Sequence, residues 1–234
     1  AKTGGAIDTK TKVGIQMTVA DSTFSANTAT TNGGAINLMD TNTMTATNTA
    51  FTGNKTTKSA ANKGGAAVYV ANTSASFDGC TFTENTVAGN TDSVGGALCF
   101  YAVSASQTAI TVSGSTFTGN TAPNGGAIGL SDSGSFRSGR AIVNWTDCSF
   151  TGNSAAGKGG AIAIPYSCEN AMHCVVTLSG CTYSGNTAAQ EPDFYSADKL
   201  NITVDGKVLD PSTTTGNPNY VAYTDVSVVP NVTD

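Results

Sequence analysis

Charge is scarce in this chain. Only 12% of its 234 residues are Asp, Glu, Lys or Arg, and the formal net charge is −5. Nucleic-acid binding needs clustered Lys and Arg. The sequence carries no basic patch, which excludes that class. Histidine is almost missing too: His173 stands alone, so a metal centre built on imidazole ligands is excluded and no cofactor is expected. No run of about 18 apolar residues occurs, so no helix crosses a bilayer. No secretory leader is recognisable, and the first residues already belong to a repeat element. The chain therefore reads as a mature or excised fragment. Low charge with abundant Thr and Asn points to the cell exterior.

What is present is periodic. Gly-Gly-Ala starts at Gly4, Gly33, Gly64, Gly95, Gly125 and Gly159. An aromatic residue is followed three positions later by Asn at Phe24/Asn27, Phe51/Asn54, Phe82/Asn85, Phe117/Asn120, Phe150/Asn153 and Tyr183/Asn186. A repeat of roughly 30 residues is the signature of a stacked architecture.

Aligned on the aromatic residue, the apolar positions alternate as in half-buried strands. Val19, Ala46, Phe77, Val112, Trp145 and Leu178 precede it by five residues. Turn-like pairs such as Asp78-Gly79 and Thr146-Asp147 follow them. A second short strand turns the aromatic inward, and its Asn sits at the next corner, followed by a loop. A third strand follows the glycines, with inward pairs Ile36/Leu38, Ala67/Tyr69, Leu98/Phe100, Ile128/Leu130 and Ile162/Ile164. The expected fold is all-β: one right-handed parallel β-helix of about six rungs with three short strands each. Its hand follows the general crossover preference. Stacked Asn amides would form a ladder along one corner.

The paired motifs Phe-x-x-Asn and Gly-Gly-Ala-[Ile/Leu/Val] resemble the repeat of the chlamydial polymorphic outer-membrane proteins, over about Gly4 to Asn186. Tyr183 replaces Phe, and Gly64-Gly65-Ala66-Ala67 departs from the usual branched residue. The resemblance implies the β-helical passenger of an autotransporter, exported through a C-terminal barrel and acting as an adhesin. This chain has no barrel segment.

The repeat covers residues 1–186, and 187–234 reads as a C-terminal cap or strand-exchange tail, since repeat proteins need atypical ends. Strand-like stretches there are Leu200 to Val204 and Val221 to Val229. An incomplete first rung around Ala6 and Ile7, with Val221, Tyr223, Val226 and Val228 as a donated strand, would allow head-to-tail filaments of copies of this chain. A cell-surface receptor or glycan is the other expected partner.

Parallel β-helices also host polysaccharide lyases and hydrolases, which need carboxylates close together. Asp21, Asp78 and Asp147 are read as sharing a slot on alternate rungs, about 9.6 Å apart by rung spacing, too far to share a substrate. They are expected to be turn residues, and the chain not an enzyme. Cys168 and Cys174 bracket a loop that a disulfide would tie in an oxidising exterior. Cys148 and Cys181 share an inward slot on adjacent rungs, as buried thiols or as a bridge. Cys80 lies two rungs from Cys148, and Cys99 points outward. Candidate binding loops run from Ser131 to Arg140 and from Pro165 to His173, with Arg137, Arg140, Tyr166 and His173 as their bulky or basic groups.

Asn-x-Ser/Thr sequons start at Asn54, Asn72, Asn144, Asn201 and Asn231. In a chain this rich in Ser and Thr, chance supplies about as many, so they do not establish glycosylation. Asn54 belongs to the ladder as well, and is expected to be buried at its corner.

Outside the second strand, Thr23/Ser25, Ala50/Thr52, Thr81/Thr83, Thr116/Thr118, Ser149/Thr151 and Thr182/Ser184 would stack into two hydroxyl columns. These ranks resemble those of ice-binding β-helix proteins. Thr is also a favoured exposed strand former.

Overall fold

Each strand of this chain finds its partner about one repeat away, not in its sequence neighbour. The computed structural model describes residues 1–10, 14–39, 42–102, 107–132, 140–165, 174–197, 201–208 and 220–223. These residues form 27 strands and no helix, arranged in four sheets. Sheet one stacks Gln16–Ala20, Thr43–Thr47, Ala75–Asp78, Gln107–Ser113, Arg140–Thr146, Cys174–Ser179 and Asn201–Val204. Sheet two stacks Thr23–Ser25, Ala50–Thr52, Thr81–Thr83, Thr116–Thr118, Ser149–Thr151 and Thr182–Ser184. Sheet three is the short one, from Thr28–Ala29 to Ser154–Ala155, and sheet four runs from Ile7–Asp8 to Phe194–Ala197. The chain visits them in that order, every rung pairs in parallel with the next, and the result is a β-solenoid.

Three details differ from the sequence expectation. First, a rung has four strands, not three. The stretch after each Asn, expected to be a loop, is a strand such as Thr28–Ala29 or Lys55–Ser59. Its inward residues are, Val87 apart, small or hydroxylic (Ala29, Thr56, Ala122 and Ala155), so it leaves almost no apolar alternation to read. Five rungs carry all four strands; in the sixth, sheet three shrinks to a single bridge between Ser154 and Thr187. Second, the third repeat is framed one residue later than expected. Val68 and Val70, not Ala67 and Tyr69, pair with Ile36 and Leu38 and enter the main core. Gly65 takes the left-handed corner, φ 62°, and Ala66 packs with Val87 and Ala122 where other repeats have their second glycine. Gly-Gly-Ala-Ala-Val fits either frame on paper.

Third, solenoid geometry runs past Asn186, the expected boundary. Phe194–Ala197 extends sheet four, and Asn201–Val204 extends sheet one. Glu191 adopts the left-handed φ, 51°, that glycine supplies elsewhere, so the rung forms with no Gly-Gly to announce it. Antiparallel strands then end two sheets. Lys207–Val208 folds back on sheet one through an Asp205-Gly206 turn with φ 46° and 79°, the signature of a two-residue hairpin. Tyr220–Tyr223 lies on the chain's own Phe194–Ala197.

The interior is a set of columns. Rings of Phe24, Phe51, Phe82, Phe117, Phe150 and Tyr183 stack with centroids 4.6–5.1 Å apart and planes within 10°. Beside them runs the amide ladder. Asn54 Nδ2 donates to Asn85 Oδ1 at 2.9 Å and to the Phe24 carbonyl at 3.0 Å. One rung pair further on, Asn120 Nδ2 donates to Asn153 Oδ1 at 3.0 Å and to the Phe82 carbonyl at 2.9 Å. The Asn120 Oδ1 accepts from Asn85 N and Asn85 Nδ2, both at 3.0 Å. The pattern repeats from Asn27 to Asn186, where Asp193 Oδ1 closes it at 2.9 Å. Four buried groups per rung are thereby satisfied, which a buried amide requires.

Phe117→Ala is expected to lower stability by about 3–5 kcal/mol, since it opens a gap inside the ring stack. Asn120→Ala should cost on the order of 3 kcal/mol, because it strands Asn85 donors and the Phe82 carbonyl. Denaturant titration followed by circular dichroism measures both. Gly125 has φ 60° and an added Cβ would meet Ile128 O at 2.2 Å, whereas Gly152 has φ 62° with open space around it. Gly152→Ala should therefore cost only about 1–2 kcal/mol of conformational strain, and Gly125→Ala clearly more in the same titration.

Candidate functional site

The outer faces of the four sheets differ, and that difference decides where a partner can reach. Sheet four is closed. Its outward residues Asn37, Tyr69 and Cys99 are buried. The segments preceding the glycine corners fold over it. Val94 packs with Tyr69 and Cys99, Ser131 Oγ donates to the Asn62 carbonyl at 2.7 Å, and the ammonium groups of Lys63 and Lys158 lie over the Tyr101 and Tyr195 rings.

The corner between sheets two and three is closed as well. Asn54, Asn85, Asn120 and Asn153 are 0% exposed, so these candidate residues serve the interior and cannot touch a partner. Asn54 also heads the Asn54-Lys55-Thr56 sequon, which taken alone marks a surface acceptor for a glycan. The Asn54 amide is enclosed and both its donors are committed, to Asn85 and to the Phe24 carbonyl, so a glycan cannot be carried there in the folded chain.

Sheet two is open. Its six strands pair residue for residue, so Thr81 stands beside Ala50 and Thr116, and Thr83 beside Thr52 and Thr118. The two columns expected from the sequence are therefore ranks on a regular grid, about 4.8 Å from rung to rung. Every position in them is exposed or half-exposed. Each hydroxyl can donate and accept, and the rings and ladder beneath keep the grid from shifting. Such a surface can match an extended, hydroxyl-rich or hydrated partner by many weak hydrogen bonds.

A third rank went unread in the sequence. Thr18, Thr45, Ser76, Thr111, Asn144 and Thr177 pair in register along the outside of sheet one. They lie six residues before each aromatic, so the same alignment contains them. Small neighbours, Ala75 and Ala109, leave a shallow cleft of about 210 Å³ beside Thr45, Ser76 and Thr111.

The acids are not gathered. Asp21 and Asp147 occupy the left-handed turn after sheet one, with φ 47° and 52°, together with Asn48, Gly79, Gly114 and Gly180. Asp78 does not share that slot, contrary to the sequence reading: it ends a strand, pairs with Thr47 and Ser113, and accepts from Ser113 Oγ at 2.7 Å. The shift arises because Asp78-Gly79 puts the acid one place before the turn that Asp21 and Asp147 fill. Among the described residues no group of three or more His, Cys, Asp or Glu is placed to hold a metal.

Several sequence candidates fall elsewhere. Arg137, Tyr166, Cys168, His173, Val226 and Val228 lie outside the described residues. Arg140 and Cys174 begin sheet-one strands, but the described residues do not include their side chains, so the Cys168–Cys174 pairing lies outside them as well. Ala6 is exposed and Ile7 half-buried in the first sheet-four strand. Val221 and Tyr223 pair with Ser196 and Phe194 of the same chain.

Among the described residues, Cys80, Cys99, Cys148 and Cys181 are free thiols. Burial pushes the Cys99 thiol up to about 12 and raises Cys80 as well. A hydrogen bond between the Cys148 and Cys181 thiols, then burial, raises Cys148, while the same bond holds Cys181 below its ordinary value.

Comparison with known proteins agrees with this architecture. A family model described as a right-handed beta helix region matches residues 6–142, more than half of the chain. A model described as the Chlamydia polymorphic membrane protein repeat matches residues 147–165. No curated protein matches the chain, and no solved structure does.

Alkylation of the native protein by iodoacetamide at pH 8 should label Cys181 at least about 100-fold faster than Cys80, Cys99 or Cys148, since thiolate fraction and access set the rate. Peptide mass mapping before and after denaturation reads this directly. Equal native labelling of Cys99 would contradict its enclosed position.

Proposed function

The chain belongs to the right-handed β-helix family, and from that footing we propose that it is a non-catalytic structural and adhesive module of a cell surface. The fold with its repeat is that of a surface-type β-helical protein. Its contacts with a partner are made by the hydroxyl ranks of sheet two, with those of sheet one beside them. The supporting observation is the in-register, exposed array from Thr23 to Ser184 over a rigid stack. Rigid sites lose little conformational freedom on binding. The carboxylates, by contrast, are spread over turns, and fold likeness to β-helical enzymes is not evidence of chemistry.

The flat, regular spacing also favours a second reading, in which the ordered partner is ice. Head-to-tail stacking is the less favoured assembly here, because antiparallel strands end sheets one and four at the C-terminal side.

The test uses the full chain on an array of glycans and on intact cell surfaces. Saturable binding that falls about tenfold or more, roughly 1.4 kcal/mol, in Thr83→Lys and Thr118→Lys is expected. Binding that survives both substitutions overturns the assignment of the face. Polysaccharide cleavage lost in Asp78→Asn or Asp147→Asn would replace the module with an enzyme. Thermal hysteresis abolished by Thr116→Tyr would single out ice.

A further inference from the structure

The lysines of this chain are distributed unevenly. Residues 1–63 hold Lys2, Lys10, Lys12, Lys55, Lys58 and Lys63 against Asp8, Asp21 and Asp40, so this stretch is cationic within an acidic protein. No run in the sequence shows it, because the solenoid makes the concentration. Lys2 and Lys10 flank the first sheet-four strand, Thr31 and Asn32 form the corner of the next rung, and Lys63 the corner of the one after. These residues line one cleft of about 260 Å³, floored in part by Met39.

The cleft is held in shape. Thr31 N and Oγ1 both donate to the Lys2 carbonyl, at 2.9 and 3.0 Å. The Lys63 ammonium is seated 5.5 Å from the Tyr101 ring centroid. Asp8 is the acid nearest these lysines in sequence, and its carboxylate is already occupied. Thr3 Oγ1, Asn37 Nδ2 and Lys10 N donate to it at 2.5, 2.8 and 3.0 Å. Burial raises its pKa, but these bonds outweigh that and hold it lowered. Among the described residues, three lysines thus line the cleft and no acid does, while the nearby Asp8 carboxylate is already engaged. Asn32 is buried, and its Oδ1 has no donor within the protein.

We propose that this cleft binds the carboxylate of an acidic sugar residue. An anion answers the unbalanced lysines. A neighbouring hydroxyl can donate to Asn32 Oδ1 after a small side-chain rotation, and the ring's C–H face suits Met39. The volume, just under the roughly 300–1,000 Å³ of small-molecule pockets, fits one sugar rather than a chain. The site is separate from the hydroxyl ranks and stands whether or not they bind anything.

The experiment is calorimetric titration of the full chain with a disaccharide ended by glucuronic acid. Its glucose-ended counterpart and sodium sulfate serve as separate arms. Saturable binding of the acidic disaccharide is expected, weakening as salt rises. Lys10→Gln and Lys63→Gln should each weaken it about fivefold and the pair about 25-fold, with Lys58→Gln unchanged. Because these lysines sit at the surface or its margin, unchanged circular dichroism confirms that each variant folds. Equal binding of the neutral disaccharide, equal binding of sulfate, no heat with the acidic sugar, or variants without effect would each overturn the proposal.

Discussion

Every rung of this protein depends on the buried amide chain that joins Asn27 to Asn186. Each Asn satisfies the backbone and side chain of the rung before it and is satisfied by the rung after, so no rung can leave the column without orphaning its neighbours. Hydrogen bonds in such a low-dielectric chain polarise one another. The ring stack beside it contributes burial and area, but it tolerates Tyr183 in place of Phe. The ladder tolerates no comparable change until Asp193 supplies the terminal acceptor. Register follows from this. A slip of one residue would turn Phe rings outward and break the ladder in the same step.

A solenoid held from within leaves its outward positions free to vary, and the four faces have been used differently. Sheet four is roofed by its own corner segments and acts as a second, thinner core. Sheets one and two are left open with Thr, Ser and Asn, polar residues that do not invite aggregation as an apolar face would. The same regularity that stabilises the interior therefore produces a ruled surface outside. The basic cleft sits apart from both, at the corner of the first rungs, where residues from three successive turns meet.

Stability in such an architecture is local. Each rung touches only the next, so its energy is close to a sum of rung and interface terms. Ends are the weak points, which accounts for their chemistry. Phe24 and Met17 are only partly buried at one end. At the other, an Asp-Gly hairpin and a returning antiparallel strand cover the last sheets. The buried hydroxyl of Tyr183 has no protein partner, and burial raises its pKa. It leaves the last ring of the stack with a polar group that the interior does not satisfy.

By itself the sequence determined the solenoid, the aromatic column, the Asn ladder and the paired hydroxyl columns of sheet two. Each of these repeats at a fixed distance from Phe or Asn, and a periodic signal survives without coordinates. The tertiary structure alone decided what is not periodic. Whether Gly64 or Gly65 turns the corner depends on which frame lets Val68 and Val70 meet Ile36 and Leu38. A strand of two residues with Ala or Thr inside has no pattern to read until its neighbours above and below pair with it. Glu191 replaces a glycine because its backbone is held in the left-handed region by the rung it joins. The convergence of Lys2, Lys10 and Lys63 is the clearest case. Residues some 60 positions apart become neighbours only because each turn of the chain advances the coil by a single strand width, about 4.8 Å.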